Sequence, residues 1–435
     1  MNKKFSSRLG LILSAVGSAV GMANIWGFPY KFLSGGLVFL IFYIIFAIIF
    51  SLVGLSSEFA IGRMAKTGTL GAYEYAFKTS NKNKTIGKYI GYLPLIGTFL
   101  IAIGYSIIVA YVLKGFVDSI SGEIFASNSE IWFESFASKK YSVVIYHLVI
   151  IILTILTGFG GASSIEKTNK IMMPTFFILF VILAIKVASF DNAIMGYRHM
   201  FTINQENFNI KTLVDAMGQA FFSLSITGSG MIVVGAYINK DEDIVTSSVQ
   251  TGFLDTLAGL VASLVIIPAV SVFAMEGAGG PSLLFVTLPT ILKNVKFGRF
   301  FAIILYLAVV FAGISSLQNM FEVIAESINH RYPKINRKIV LVALGIMVFL
   351  LGLNLETIDA FGPYMDLISI YIIPIGASIG AFTWFYILSK DRLLAEINRS
   401  SSREYGNRWH RIGKYLYVPI AIIITILALV FKITF

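Results

Sequence analysis

The feature that most constrains this chain is an apolar run over residues 9–29 that is interrupted in its middle. The run is long enough to cross the roughly 30 Å hydrocarbon core of a bilayer. Its middle carries four residues that weaken a helix or bring polar groups to membrane depth: Gly17, Ser18, Gly21 and Asn24. Backbone that unwinds there needs buried partners or a bound ligand. The segment is therefore a candidate binding site.

Composition excludes a soluble protein. Of the 435 residues, 57% are hydrophobic and only 13% are charged, and the mean hydropathy is +0.81. Soluble domains carry about 25% charged residues. Apolar runs of about 20 residues recur along the chain, which predicts an all-α polytopic membrane protein. A β-barrel would instead show segments of about 10 residues with alternating polarity.

We predict eleven transmembrane spans, at residues 9–30, 37–58, 86–117, 143–160, 167–189, 212–237, 245–274, 298–328, 338–354, 364–389 and 415–433. With the N-terminus inside, about 23 of the 34 basic residues lie on the cytoplasmic side. This bias predicts an N-terminus inside, and the odd number of spans places the C-terminus outside. It also explains the net charge of +11 without a nucleic-acid partner. Abundant Ile, Lys and Asn hint at an AT-rich bacterial genome, so we expect the bacterial cytoplasmic membrane.

The sixth span is interrupted like the first. Its middle contains five residues that break a helix or are polar: Ser225, Thr227, Gly228, Ser229 and Gly230. Two broken helices at corresponding positions indicate a 5+5 inverted repeat with a binding site at its interface. The repeats would cover residues 9–190 and 212–389, within one transmembrane domain over 1–435, and residues 390–435 would add a cytoplasmic loop and one extra helix. The alternative is that the small residues only allow close helix packing.

Several motifs, in a shared order and spacing, carry a family resemblance. They are SRLGLILS from Ser7, GSAVGMANIW from Gly17, EFAIGR from Glu58, EKTNKIMMP from Glu166, GQAFFSLS from Gly218, YINKDED from Tyr237, GPSLLFVTLP from Gly280 and AGISS from Ala312. From Ser7 to about Tyr417 the chain resembles the neurotransmitter:sodium symporters, specifically their bacterial amino-acid transporters of the leucine-transporter fold. The resemblance implies sodium-coupled import of an amino acid by alternating access.

The resemblance also implies two sodium sites. The first would use the Ala19 carbonyl, Asn24, Ser223 and Asp255, together with the substrate carboxylate. The second would use the carbonyls of Gly17, Val20 and Ala312 and the hydroxyls of Ser315 and Ser316. Sodium is a hard cation, and oxygen ligands of this kind suit it. The second site would join span 1 to span 8 and oppose opening toward the cytoplasm.

Asp255 lies inside span 7, where a carboxylate is costly and usually functional. A structural role, with the carboxylate bonded to a neighbouring backbone, is the alternative. Chloride-dependent relatives have a neutral residue at this position and use chloride to supply negative charge. The resemblance therefore predicts transport that does not depend on chloride.

The substrate pocket implied by the resemblance is lined by Ser18, Ala19, Gly21, Met22, Ala23, Ile101, Tyr105, Phe222, Ser223, Ser225, Gly228, Ser316 and Met320. The half-helix after the break in span 1 would point its positive N-terminal end at the substrate carboxylate. No charged side chain of this set faces the substrate side chain, and an unpaired buried charge is costly. We therefore expect a neutral, hydrophobic or aromatic amino acid. Gly228 stands where relatives often carry a bulky apolar residue and would leave room for a larger side chain, whereas Ala23, where relatives usually have glycine, would reduce that room.

The gates depart from the family pattern. Gly27 stands where relatives usually have the arginine of the outer gate, so its expected partners, Asp366 or less favourably Asp359, lack a cation. The outer end would then close by packing of Tyr105 on Phe222, or through Lys31. On the inner side Phe5 and His330 replace family residues, and Tyr237 with Glu322 remain as an inner pair.

Other functional classes are weaker. The four histidines do not cluster and cysteine is absent, so we expect no enzyme, no nucleophile and no thiolate metal site. A channel remains possible because polar backbone can line a pore, and altered gates leave room for a sensor that binds an amino acid without transport. The expected partners are the amino acid, two sodium ions and the lipid bilayer, with the protein as a monomer or weak homodimer.

Overall fold

The computed structural model describes residues 4–273 and 279–433, and the regular elements of this part are helices. In the first half they are α1 (Arg8–Ala19), α2 (Phe28–Ile49), α3 (Ser56–Ala65), α4 (Thr69–Thr79), α5 (Lys84–Ser121), α6 (Ser129–Ala137), α7 (Val144–Gly158), α8 (Ala162–Ala188), α9 (Ala193–Phe201) and α10 (Ile210–Ser223). In the second half they are α11 (Gly230–Ala236), α12 (Ile244–Val272), α13 (Leu288–Lys293), α14 (Gly298–Arg331), α15 (Arg337–Gly352), α16 (Ile358–Leu367), α17 (Ile373–Phe382), α18 (Lys390–Ile397), α19 (Asn407–Ile412) and α20 (Val418–Phe431).

The predicted spans fall on these helices. Within the described part, eight continuous helical stretches are long and apolar enough to cross a membrane, and three shorter apolar helices include α1 and α7. Observed helices often extend beyond the predicted ends, as in α5, because the polar residues at a span end continue the helix into the interface. One stretch, Ala23–Ala65, joins the end of span 1 to span 2. Gly36, with φ of 56° and ψ of −153°, marks the kink between them.

The first span is broken where the sequence predicts. Helix α1 ends at Ala19, Val20 is extended with φ of −67° and ψ of 118°, and helical structure resumes as a π-helical turn, Ala23–Gly27. Two main-chain amides in the restart donate to the Gly21 carbonyl, from Asn24 at 3.1 Å and Ile25 at 3.3 Å. The turn thus satisfies part of the backbone that the break sets free.

The sixth span is broken over residues 224–229, between α10 and α11. Two residues there have left-handed backbone, Ser225 with φ of 53° and Gly228 with φ of 73°. Such angles are costly for a residue with a side chain and easy for glycine. The chain therefore leaves the helix and resumes it after six residues, through left-handed positions at Ser225 and Gly228.

The long helices α5 and α14 pack against each other through the middle of the molecule, and α1 packs against α8, α12 and α14. Large apolar side chains also face outward: Ile145, Ile171 and Ile185 are 75%, 68% and 68% exposed. In a soluble protein such a surface would be a liability. In a bilayer it contacts lipid, which agrees with the apolar spans.

The last helix, α20, packs on α17. The hydroxyls of Ser378 and Thr425 lie 2.7 Å apart, and Thr425 donates to the Pro374 carbonyl at 2.8 Å. Pro374 has no main-chain N–H, so it takes part in this contact only through its carbonyl. The small side chains of Ser378 and Thr425 let the two helices approach each other. Helix α20 is therefore attached to α17 by polar contacts between helices.

A buried ion pair joins α3 to α18. Arg63 Nε lies 2.5 Å from Glu396 Oε1, and their side chains are only 3% and 9% exposed. The guanidinium also donates to the main-chain carbonyls of Glu242, at 2.7 Å, and Glu396, at 2.8 Å. One arginine thus connects three segments at the end of the bundle where the N-terminus lies.

Replacing Arg63 with methionine should clearly lower the melting temperature of the purified protein in detergent. The change leaves Glu396 buried without its partner, which costs about 3–5 kcal/mol in comparable pairs. Lys211→Met is the matched control, because the Lys211–Asp215 pair has a lysine side chain that is 75% exposed. Exposed pairs contribute about 0–1 kcal/mol. Equal melting temperatures for the two variants would contradict the role of Arg63.

Candidate functional site

The two helix breaks meet in the middle of the bundle. Ser225 Oγ, in the break of span 6, donates to the Ser18 carbonyl at the end of α1, at 3.2 Å. On the other side of the break, the Gly228 amide donates to the buried Glu58 carboxylate at 2.8 Å, and Tyr73 donates to the Gly228 carbonyl at 3.2 Å. Side chains of α3 and α4 and a main-chain carbonyl of α1 therefore hold the unwound segment in place.

Beside the first break lies a buried cluster of oxygen and amide groups from four helical segments. Asn24 Nδ2 is 2.8 Å from Asp255 Oδ1 and 3.0 Å from Ser223 Oγ. Ser223 donates to Asp255 Oδ2 at 2.7 Å, and Tyr43 donates to the same oxygen at 3.3 Å. Asn24 Oδ1 meanwhile accepts from the Gly21 amide at 3.0 Å. The Asp255 carboxylate is thus tied to both broken helices.

This cluster brings together Asn24, Ser223 and Asp255 of the first predicted sodium site, while Ala19 lies on the wall of the adjacent cavity. Carboxylate, hydroxyl and amide oxygens are the ligand types that a hard cation prefers. The Asp255 carboxylate and the Ser223 hydroxyl therefore suit a sodium ion, whereas Asn24 turns its Nδ2 toward them and its Oδ1 toward the Gly21 amide. Tyr43, which lies in span 2, was not among the sequence predictions; its position on the apolar face of a span gave no signal.

The residues of the second predicted sodium site also lie together, between α1 and α14. Ser316 Oγ is 2.8 Å from the Val20 carbonyl and 3.3 Å from the Gly17 carbonyl. Ser315 Oγ is 2.9 Å from the Ala312 carbonyl one turn away. Three carbonyls and two hydroxyls thus face the seam between the broken helix and α14, again an oxygen set suited to sodium.

A cavity of about 250 Å³ lies between the breaks. Its wall contains all the predicted substrate residues except Ser223 and Gly228. Among the described residues that line it, none carries a charge. The Tyr105 hydroxyl lies beside Ser316 and the Met22 backbone without completing a hydrogen bond to either. Gly21 permits this approach, because a methyl group there would lie 2.5 Å from the hydroxyl oxygen.

Gly228 and Ser223, the other two predicted substrate residues, lie outside the cavity wall. A methyl group built on Gly228 would lie 2.6 Å from the Gly376 carbonyl and 2.9 Å from the Tyr73 hydroxyl, so the glycine faces α17 and α4. The extra room that the sequence suggested at this position therefore does not enlarge the cavity. Ser223 bonds to Asp255 instead of lining the wall.

The cavity also has lining residues that the predicted substrate set does not contain: Thr227, already noted in the helix break, and among others Thr98, Gln219, Asn319, Phe361 and Met365. Helical spacing could have found two of these. Thr98 is three residues before Ile101 on α5, and Asn319 is three residues after Ser316 on α14, so each shares a helix face with a predicted site residue. Phe361 lies just before the predicted span 10 and Met365 lies at its start. Neither residue belongs to a motif that the sequence analysis identified.

At the outer end of the cavity a neutral side chain stands beside Gly27. Gln219 Nε2 donates to the Ala23 carbonyl at 2.9 Å, and its Oε1 would lie 3.2 Å from a methyl group at Gly27. Asp359 and Asp366 are exposed, and neither forms an ion pair with a described residue. An amide bridge therefore occupies the place where the family pattern predicts a charged gate.

The opposite end is closed by the segment before α1. Phe5 packs edge-on against Tyr237, with ring centres 6.0 Å apart, and its amide donates to the Tyr237 carbonyl at 3.1 Å. The Tyr237 hydroxyl donates to Glu322, which also pairs with Arg337. The predicted inner pair, Tyr237 and Glu322, is thus in contact. These bonds seal the bundle below the cavity.

Comparison with known proteins gives the same fold and family. A crystal structure of MhsT in complex with L-phenylalanine matches with a TM-score of 0.85 at 27% identity, over 98% of this chain and 99% of that one. The sodium-dependent transporter YhdH of Bacillus subtilis is 28% identical over 98% of this chain and 97% of its own length. A sodium-dependent transporter of Haemophilus influenzae is 26% identical over 98% of both chains.

The structural match confirms the predicted fold class, an all-helical membrane protein of the leucine-transporter type with two broken helices. Fold and family are those of transporters and not of enzymes. The model of the Sodium:neurotransmitter symporter family matches residues 2–142 and 133–434. Because these matches cover nearly the whole chain, this protein belongs to the Sodium:neurotransmitter symporter family.

Proposed function

We propose that this sodium-dependent symporter imports a neutral amino acid with a hydrophobic or aromatic side chain, together with two sodium ions and without chloride. The observation that carries the proposal is the position of the cavity: it lies between the two helix breaks, and no described residue in its wall is charged. The free backbone at the breaks suits the charged ends of an amino acid, whereas a charged side chain would find no partner.

The substrate carboxylate would lie at the restart of span 1, near the Met22 and Ala23 amides and the Tyr105 hydroxyl. A helix N-terminus favours an anion, and Tyr105 has a hydroxyl proton to donate. The amino group would face the end of α10, where the helix presents its last main-chain carbonyls and the Ser225 hydroxyl is close. The side chain would then extend along Ile101, Phe222 and Met320.

Sodium ions would couple binding to the conformational cycle in two ways. At the first site the ion would be shared between Asp255 and the substrate carboxylate. Binding of the ion and binding of the substrate would therefore favour each other. At the second site the ion would hold α1 against α14, through the carbonyls that Ser316 contacts. Release of that ion would free α1 and, with it, the seal made by Phe5 and Tyr237.

We also propose a multi-pass protein of the bacterial cytoplasmic membrane with the N-terminus inside and the C-terminus outside. The distribution of basic residues supports this orientation. The cavity and both oxygen clusters come from one chain, so the site needs no second copy. This favours one transporter domain over residues 1–435 that functions as a monomer or in a weak homodimer.

Uptake into proteoliposomes tests the proposal. With an inward sodium gradient, labelled phenylalanine, tyrosine, tryptophan or leucine should accumulate above its external concentration, while lysine and glutamate should not compete. The sodium gradient supplies the driving force, so collapse of the gradient with an ionophore should abolish accumulation. Downhill flux without accumulation would indicate a channel, and saturable sodium-dependent binding without flux would indicate a sensor; either result would contradict the symport proposal.

Asp255→Asn should raise the sodium concentration for half-maximal substrate binding about tenfold or more. The change removes a charged ligand from the first sodium site, and interactions with charged groups contribute about 1.5–3 kcal/mol. Sodium titration of the thermal shift, with a saturating amino acid present, measures the effect. Asp359→Asn removes an exposed carboxylate and is the matched control. An unchanged sodium titration in Asp255→Asn would argue for a purely structural aspartate.

Replacement of chloride by gluconate on both sides of the membrane should leave the initial rate of uptake unchanged. Asp255 is fully buried beside the first ion cluster and carries the negative charge that chloride would otherwise bring. The control replaces sodium with choline at constant chloride, which should stop uptake. Loss of uptake in gluconate would show that Asp255 does not substitute for an anion.

A further inference from the structure

The end of the cavity away from Tyr105 is polar. Thr98 of α5, Thr227 in the break of span 6 and Asn319 of α14 all contribute to its wall there. The remaining wall around them is apolar and includes Ile101, and in an apolar wall a polar group must be paired to be stable. The hydrogen bonds that each polar group already makes therefore decide which substrate groups this end of the cavity can recognise.

The hydroxyl groups at this end bond to one another. Thr98 Oγ1 donates to the Pro94 carbonyl at 3.0 Å and lies 2.5 Å from Ser229 Oγ. Ser229 Oγ lies 3.1 Å from Thr227 Oγ1, which accepts from the Gly230 amide at 3.3 Å. With Thr227 donating to Ser229 and Ser229 to Thr98, every hydroxyl proton has an acceptor within the chain.

Asn319 differs from these hydroxyl groups in that the chain does not satisfy all of its hydrogen-bonding capacity. Its Nδ2 donates to the Gly230 carbonyl at 3.3 Å, and no described residue donates to its Oδ1. The orientation of the amide is determined by this bond, because an oxygen facing the Gly230 carbonyl would be repelled. The side chain is only 6% exposed. An acceptor in the cavity wall is therefore left for whatever occupies the cavity.

The distance from the carboxylate end also matters. On α5, Tyr105 and Thr98 are seven residues apart, or about 10 Å along the axis at 1.5 Å per residue. On α14, Ser316 is next to Gly21 and the Tyr105 hydroxyl, and Asn319 lies one turn farther. Asn319 bonds to Gly230, next to Ser229, which contacts Thr98, so it belongs to the end of the cavity that the far edge of an aromatic ring would reach from a carboxylate at Tyr105.

We propose that Asn319 Oδ1 accepts a hydrogen bond from the ring substituent of an aromatic substrate, so that the cavity selects tyrosine and tryptophan over phenylalanine. This inference rests on the proposed function and goes beyond it in naming the recognised group: an O–H or N–H at the far edge of the ring. Phenylalanine covers the amide oxygen without pairing it. A site that loses the hydrogen bond in this way discriminates against the ligand that lacks the donor.

The test measures sodium-dependent dissociation constants of the purified full-length protein for phenylalanine, tyrosine and tryptophan. The wild type should bind tyrosine and tryptophan about 2- to 12-fold more tightly than phenylalanine, which is the value of one hydrogen bond. Asn319→Leu keeps the branched shape and removes the acceptor, so this preference should vanish while phenylalanine binding is kept or improved. Asn329→Leu is the matched control on the same helix, where the side chain donates to the Ile335 carbonyl.

A ligand-side measurement needs no variant. O-methyltyrosine and 1-methyltryptophan lack the donor, so the wild type should bind each less tightly than its parent, and Asn319→Leu should lose that difference. Equal binding of phenylalanine and tyrosine by the wild type would overturn the inference. So would an equal loss for all three ligands in Asn319→Leu, which would show that Asn319 only supports the Gly230 carbonyl. Absence of sodium-dependent binding of any amino acid by the wild type would instead refute the proposed function.

Discussion

Unwound backbone at membrane depth must find polar partners, and the rest of this structure is arranged around that requirement. Each free group in the middle of the bilayer costs several kcal/mol if left unpaired. In span 6 the partner is the Glu58 carboxylate, which accepts from the Gly228 amide. In span 1 the partners are Asn24, which accepts from Gly21, and Ser316, which donates to Val20. Partners drawn from several helices keep both breaks open.

The same arrangement explains why binding and conformational change are linked in a fold of this kind. Ser225 donates to the end of α1, so the two breaks form one unit. Asp255 contacts both broken helices through Asn24 and Ser223. A ligand bound at this unit would therefore contact α1, α10, α12 and α14 together. The segment before α1 connects it in turn to the seal around Tyr237.

The two ends of the cavity are closed by different chemistry. The inner end uses charge, with Glu322 between Tyr237 and Arg337 and with Arg63 buried against Glu396 nearby. The outer end has an amide bridge, in which Gln219 bonds the Ala23 carbonyl beside Gly27. The inner end is thus held by charged side chains and the outer end by a neutral hydrogen bond.

The sequence by itself determined the membrane class, the family and the two broken spans, because long apolar runs and clusters of Gly and Ser are local properties. It also identified Asn24, Ser223 and Asp255 as a group, through the family motifs. Only the tertiary structure decided what faces the cavity. Gly228 turns toward α17, and Asn319 and Gln219 join the wall. The direction of a side chain depends on the left-handed backbone of the break and on how helices distant in sequence pack, and no local pattern encodes either.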